Sequence, residues 1–258
     1  PPDYAQMAVD GTALIWSPRS NIRLYGNTAM VTVAQRLGVQ IALGTDWTAS
    51  GSMNVLRELK CADEWNKQYL GGYFTDEQLW LMSTWNAAQV TASADKIGIL
   101  QAGKVADIAI FDGTDKKHFR AVLDAEPATV ALVLRGGKPL YGDAGIIDAV
   151  AATPADCDAL DVCGTGKKVC LKPEIGSTLG QLQASVGAAT YPAFFCGVPE
   201  NEPTCIPSRP ESVNNSTTYT GELADGDMDG DGVTDLTDNC PSVFNPVRPL
   251  DNGAQSDF

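Results

Sequence analysis

The rhythm of apolar and polar positions changes near residue 95. Before that point short apolar runs alternate with stretches of helical spacing, the pattern of parallel β/α units. Thr12 to Trp16 (TALIW) predicts a buried strand, and Ser17-Pro18-Arg19-Ser20-Asn21 predicts a polar loop after it. Thr28 to Leu37 has helical spacing and stops at Gly38. Gln40 to Leu43 (QIAL) predicts the next strand, followed at once by Gly44-Thr45-Asp46-Trp47. Asn54 to Leu70 predicts a long helix ending at Gly71-Gly72, and Thr75 opens another with Gln78 as its capping-box partner.

From Asp95 to about Asp143 the spacing becomes strand-like. Ala106 to Phe111 and Val130 to Leu134 are β-rich runs, the second followed by a Gly136-Gly137 turn and Lys138 to Tyr141. This predicts a small β-domain. Residues 144–212 form a Cys-rich segment, with a helical stretch near Ser177 to Val186 and irregular Pro-rich chain beyond. Ser212 to Thr220 reads as a polar linker, and an acidic tail follows.

Composition adds three constraints. The 258 residues, 44% hydrophobic and 19% charged, are those of a globular protein. No apolar run approaches the roughly 20 residues needed to span a bilayer. Of the net charge of −14, −8 lies from Gly221 onward, where nine acidic residues face one arginine. Such a block repels nucleic acid and anionic membranes and attracts divalent cations. Starting at Pro1 and stopping inside an Asp-rich pattern, the chain reads as a fragment.

Of seven cysteines, Cys61 stands alone in the first half; the rest crowd the second, without CxxC spacing and with a single histidine, His118, in the chain. That distribution favours disulfides over a zinc site and an oxidising, extracytoplasmic compartment (secreted, periplasmic or cell-surface). Cys163/Cys170 and Cys196/Cys205 are the sequence-close candidate pairs, and Cys61 reads as a small buried hydrophobe.

Asp46 carries the first chemical signal. In parallel β/α folds, chemistry sits at the C-terminal ends of strands, and Asp46 follows QIAL directly. A carboxylate there can bind a divalent metal or take a proton from a metal-bound water. It can equally cap the next turn or helix, and spacing alone does not separate the two. Trp47 could wall a pocket beside it, with core packing the stronger expectation.

SPRSNIRLYG, IALGTDW, TWNAAQ, IGILQAGKVADIAIFDG and VLRGGKPLYGD together resemble successive motifs of the amidohydrolase superfamily. The branch they resemble is the cytosine deaminase, chlorohydrolase and S-adenosylhomocysteine deaminase-like one. The match runs from about residue 10 to 143, and Gly103-Lys104-x-Ala106-Asp107 is its most specific part. The resemblance implies an α/β fold: the C-terminal part of a metal-dependent (β/α)8 barrel over residues 1–94, comprising strands 7 and 8 and the helices after them. Composite β-sandwich strands are implied over 95–143. Asp46 matches the strand-8 aspartate, which binds Zn²⁺ (or Fe²⁺) and shuttles protons. Ser17, Arg19 and Asn21 match the strand-7 loop that lines the substrate side, with Asn21 also holding that loop in shape. The family's HxH pair on strand 1, its histidines on strands 5 and 6 and its usual glutamate are not in this chain. His118 reads as a surface residue, the missing ligands are expected upstream, and the chain alone is expected to be inactive.

The acidic tail contains Asp227-x-Asp229-x-Asp231-Gly232-Val233-x-Asp235-x-x-Asp238. Oxygens at loop positions 1, 3, 5, 9 and 12, a glycine at 6 and the Val233 carbonyl at 7 suit a calcium ion, which takes six to eight oxygens. With Asn239-Cys240-Pro241 after it, the stretch resembles a thrombospondin type 3 repeat, truncated within 213–258, whose Cys240 would pair in the following repeat. The expected function is a hydrolase acting on non-peptide C–N bonds of a small molecule. The alternative is a non-catalytic extracellular calcium-binding protein on a degenerate hydrolase scaffold.

Overall fold

The computed structural model describes residues 2–187, 191–207, 226–229, 231–242, 245, 247, 254 and 255. The expected Ser212 to Thr220 linker lies outside them. The chain divides into two compact units, residues 1–83 with 201–258, and residues 84–200.

The first unit runs α1 (Pro2–Asp10), β1 (Leu14–Trp16), α2 (Pro18–Tyr25), α3 (Val31–Arg36), β2 (Ile41–Leu43), α4 (Val55–Gln68) and α5 (Asp76–Met82). β1 and β2 pair in parallel, Leu14 opposite Ile41 and Trp16 opposite Leu43, as the β/α spacing predicts. Trp16, Ile22, Val31, Leu59 and Leu79 are buried, each worth about 1.5–3 kcal/mol if an aliphatic side chain is fully withdrawn from water. Local signals set the helix starts. The Asn54 side chain accepts the Arg57 N–H at 3.0 Å, and Thr75 and Gln78 form the expected reciprocal capping box.

Ser17 to Asn21 is not a loop. Pro18 occupies the first helical position and α2 starts there, ending where Gly26 enters the left-handed region at φ 81° and its N–H reaches Ile22 O. Proline at the first turn of a helix lacks only an N–H that would be unpaired anyway, so the polar pentapeptide with its proline opens a helix.

The second unit runs α6 (Trp85–Val90), β3 (Ile108–Phe111), α7 (Arg120–Leu123), β4 (Val130–Arg135), β5 (Lys138–Asp143), α8 (Ala144–Val150), β6 (Asp158–Val162), β7 (Thr165–Val169), α9 (Lys172–Ile175) and α10 (Leu179–Val186). Its five strands form one antiparallel sheet in the order β3-β4-β5-β7-β6. The expected β-domain strands are β3, β4 and β5. The Cys-rich segment contains the expected helix near Ser177 to Val186 as α10, and before it contributes a hairpin, for which no strand was expected, that continues the same sheet, because β7 pairs with β5 through Tyr141 and Val169. Leu132, Ile147, Cys157 and Cys170 pack as one buried cluster on it. The Asp107 carboxylate of the Gly-Lys-x-Ala-Asp run accepts the Gly136 N–H at 2.7 Å, tying β3's approach to the β4–β5 turn.

Three disulfides join Cys61 to Cys205, Cys157 to Cys170 and Cys163 to Cys196, and Cys240 is a free thiol. Neither sequence-close candidate pair forms. Cys61 is fully buried, but as half of a bridge to a residue 144 positions away. Proximity in sequence is a poor guide to disulfide connectivity, since chain folding sets which Cα atoms come within bridging distance.

Candidate functional site

The end of β2 runs into a tight loop. A Cβ at Gly44 would stand 2.7 Å from Ile15 Cγ2 and 3.3 Å from Ser17 Oγ, so glycine permits the two strand ends to lie close. Asp46 follows in the left-handed region, φ 55°, a conformation aspartate tolerates better than most residues. The Ser50 and Gly51 N–H groups return to Trp47 O at 2.9 and 2.7 Å, and the Ser52 N–H reaches Thr45 O at 3.3 Å. Gly51 is obligatory here, because a Cβ on it would lie 1.8 Å from Thr45 O.

This loop holds the Asp46 side chain at the exposed end of the strand. The Ser20 hydroxyl, buried in the first turn of α2, donates to Asp46 Oδ2 at 2.6 Å. Ser20 Oγ also lies 2.9 Å from Ser50 Oγ. With the single Ser20 proton given to the carboxylate, Ser50 donates into Ser20. Among the described residues no hydrogen bond reaches Asp46 Oδ1 and no cation pairs with the carboxylate.

The other expected site residues take separate places. Ser17 is buried at the N-cap position of α2 without making a side-chain capping bond. Asn21 Oδ1 accepts from the Thr28 hydroxyl at 3.1 Å, which in turn accepts from Trp16 Nε1 at 2.6 Å. Asn21 thus ties α2 to the segment that follows it. Arg19 is only 4% exposed, and its Nε donates to Ser52 Oγ at 2.7 Å. Trp47 is 73% exposed; core packing, the stronger expectation, fails because the loop turns at Asp46 and carries the indole outward. Trp65 is in the core and Trp80 half-buried. His118 sits in an exposed turn.

Two acidic residues enter the picture without having been singled out in the sequence. Glu58, on α4, is fully buried. Its Oε1 accepts the Arg19 N–H at 3.0 Å, while Oε2 has no hydrogen-bond partner among the described residues. Burial pushes its carboxyl up to about 7, against the opposing pull of Ser52 and Arg19. The signal was present: Glu58, Ala62 and Trp65 share one helical face, and a carboxylate in that stripe marks a special position. Glu202 carries no such signal. Its carboxylate takes Arg57 Nε at 2.8 Å and Nη2 at 2.5 Å, and lies 3.3 Å from Arg19 Nη1.

One carboxylate is a ligand and not a metal site, since zinc takes three or four protein donors. Asp46 therefore fits as a single member of such a site and does not complete it. The group of His, Cys, Asp and Glu donors that does cluster among the described residues is Asp227, Asp229 and Asp231, with ligand oxygens within 4.8 Å of one another. One oxygen of each shapes the loop: Asp227 accepts from Gly232 N at 3.0 Å, Asp229 from Asp231 N at 3.2 Å and Asp231 from Val233 N at 2.8 Å. Asp235 accepts from Met228 N and Asp238 from Cys240 N, both at 2.8 Å. Gly232 supplies the left-handed turn, φ 85°. Among the described residues, Asp229 Oδ2 and Asp238 Oδ2 are buried without hydrogen-bond partners. Burial, with neighbouring carboxylates adding to it, raises the pKa of Asp229 and Asp231. Hard oxygen donors that repel one another fit a divalent cation such as calcium.

The profile of the amidohydrolase family matches residues 9–140, and that of the thrombospondin type 3 repeat matches residues 220–248. A 5-methylthioadenosine/S-adenosylhomocysteine deaminase of Teredinibacter turnerae is 33% identical over 116 residues, 44% of this chain and 26% of the relative. The deaminase of the same name from Symbiobacterium thermophilum is 29% identical over 153 residues, 55% of this chain and 35% of that protein. The chain thus spans about a quarter to a third of the length of these relatives. Among solved structures, an adenosine deaminase from Xanthomonas campestris with bound zinc superposes with a TM-score of 0.48 at 22% identity, covering 54% of this chain and 34% of that one.

Proposed function

The chain belongs to the amidohydrolase family, and we propose that it supplies the strand-end aspartate of a metal-dependent hydrolase acting on a non-peptide C–N bond of a small molecule. The observation that carries this reading is Asp46 itself: a solvent-facing carboxylate at the end of a parallel strand, held on one oxygen by Ser20 and open on the other. In this reading β1 and β2 are the last two strands of a (β/α)8 barrel, and the rest of the protein brings the remaining donors. A zinc or ferrous ion bound there would supply a water acidified toward neutral pH.

The part this chain plays follows from its own atoms. Asp46 Oδ1 takes the proton of the attacking water and passes it to the leaving nitrogen, while the Ser20 hydrogen bond to Oδ2 keeps the carboxylate aimed. Asn21 ties α2 to the segment that follows it, Ser17 and Arg19 are buried, and Trp47, next to Asp46, offers an exposed flat face to a substrate. In the tail, Asp227, Asp229, Asp231, Asp235 and Asp238 with the Val233 carbonyl would hold Ca²⁺, an all-oxygen set matched to its coordination number. Three disulfides support an extracytoplasmic location.

The test uses the full-length protein beside its Asp46→Asn variant, with metal content and turnover measured on a panel of amides and amino-heterocycles. Stoichiometric zinc or iron, with turnover lost in the variant, is the expected result. Calcium alone, with no turnover across the panel, would replace this reading with that of a calcium-binding protein on an inactive scaffold.

A further inference from the structure

Residues 201–207 lie in the same compact unit as α2 and α4, although residues 84–200 intervene in sequence. They are fastened there covalently, by the Cys61–Cys205 bridge to α4, and electrostatically, by Glu202. The Glu202 side chain is 3% exposed and meets two guanidiniums, Arg57 through both oxygens and Arg19 at 3.3 Å. Pro203 O accepts a further hydrogen bond from Arg19 Nη1. A buried guanidinium needs an anion and filled hydrogen bonds, and removing one member of such a pair leaves an uncompensated buried charge. Burial lowers the Arg19 pKa even with Glu202 and Glu58 beside it. Glu58 is itself pushed toward neutrality by burial, and Glu202 sets its carboxylate against both arginines.

Arg19 is adjacent to Ser20. The same short stretch that receives Glu202 therefore carries the hydroxyl that orients Asp46; α4 also holds it, through Glu58 on the Arg19 N–H and Arg57 O on the guanidinium, and the Asp46 loop holds it through Ser52 on Arg19 and Ser50 on Ser20. We propose that Glu202, returned by the Cys61–Cys205 bridge, is a positioning residue for the Asp46 site, acting through Arg19 on the first turn of α2 and so on the Ser20–Asp46 hydrogen bond. The assignment rests on the hydrolase reading for its catalytic consequence. Its structural half stands on the contacts alone. It gives the Cys-rich extension a role in the hydrolase: the segment completes the skin of the unit that holds Asp46.

The test compares Glu202→Gln, Glu202→Asp and Cys61→Ser/Cys205→Ser in the full-length protein. Amide hydrogen exchange is read over residues 18–25 and 44–52, with kcat and KM beside it and Asp46→Asn as reference. Glu202→Gln is expected to speed exchange in those two stretches while leaving 130–143 unchanged. It should lower kcat roughly ten- to a hundredfold with little change in KM, the size a slight misplacement of a catalytic group produces. Glu202→Asp, which keeps the charge, should recover part of both effects, and the double serine variant should reproduce the loosening. Unchanged exchange at 18–25 and 44–52 in both Glu202→Gln and the double serine variant would overturn the proposal, as would an unchanged kcat where Asp46→Asn is inactive. If Asp46→Asn keeps full activity, the hydrolase assignment of Asp46 fails by itself, and the exchange data alone decide whether Glu202 holds α2.

Discussion

Ser20 Oγ donates to Asp46 Oδ2 at 2.6 Å, joining the first turn of α2 to the loop that follows β2. Twenty-six residues separate the two in sequence, and their contact fixes which oxygen of the carboxylate faces outward. A hydrogen bond to a charged group contributes about 1.5–3 kcal/mol. Ser20→Ala in the full-length protein is therefore expected to lower kcat by roughly ten- to a hundredfold, with the fold retained by circular dichroism; wild-type kcat in that variant would remove Ser20 from the mechanism.

Glu58 makes stability depend on pH. Its carboxyl titrates near 7 in the folded chain, above the usual value of 4.5, so the folded state holds a proton that the unfolded state has lost between those values. Stability then falls as pH rises from about 4.5 to about 7, by up to about 3 kcal/mol, and flattens above that. Glu58→Gln retains an acceptor for the Arg19 N–H and cannot ionise. Denaturant melts at pH 5 and pH 8 should show the variant gaining on wild type at the higher pH, and a constant difference would contradict the burial argument.

Two glycines give opposite expectations. At Gly51 an added methyl meets Thr45 O at 1.8 Å, so Gly51→Ala must move the Asp46 loop and should cost about 1–3 kcal/mol. Gly145 lies in α8 with nothing within 4 Å of an added Cβ. Gly145→Ala should stabilise by about 0.5–1 kcal/mol. Thermal melts of the pair read both signs in one experiment.

The Cys61–Cys205 bridge closes a long loop, its ends 144 positions apart in sequence. Cross-links of that span contribute about 2–5 kcal/mol. Cys61→Ser/Cys205→Ser should accordingly lower the melting temperature by several degrees under oxidising conditions, and reductant should lower wild type toward the variant. Equal melting of the two proteins would show the bridge to be dispensable for stability.

In the tail, Asp231 is almost wholly buried and accepts N–H groups from Val233 and Asn245 besides the Gln255 amide. Calorimetric titration with calcium chloride should give saturable binding, and Asp231→Asn should weaken it at least tenfold, since a ligand charge is lost at the centre of the loop. Titration without heat or with equal affinities would remove the loop from consideration as a cation site.

Much of this was open to local reading. The Thr75–Gln78 capping box, the strands of QIAL and VALVL and the aspartate spacing from Asp227 to Asp238 are patterns within a dozen residues, and short-range physics suffices to write them. Asp46 belongs with them, because a carboxylate directly after a strand needs no distant partner to be noticed. The helix over Ser17 to Asn21 lay between the two cases: its opening proline was visible, but a polar pentapeptide after a strand fits a loop equally well until packing buries Arg19 and Ser20. The environment of that helix was settled only in three dimensions. Glu202 reaches Arg57 across 145 positions, and Cys61 finds Cys205 across 144. No periodicity or motif encodes such pairs; they form because folding brings the 201–207 segment against α2 and α4, where a buried guanidinium requires an anion and two thiols come within bonding reach.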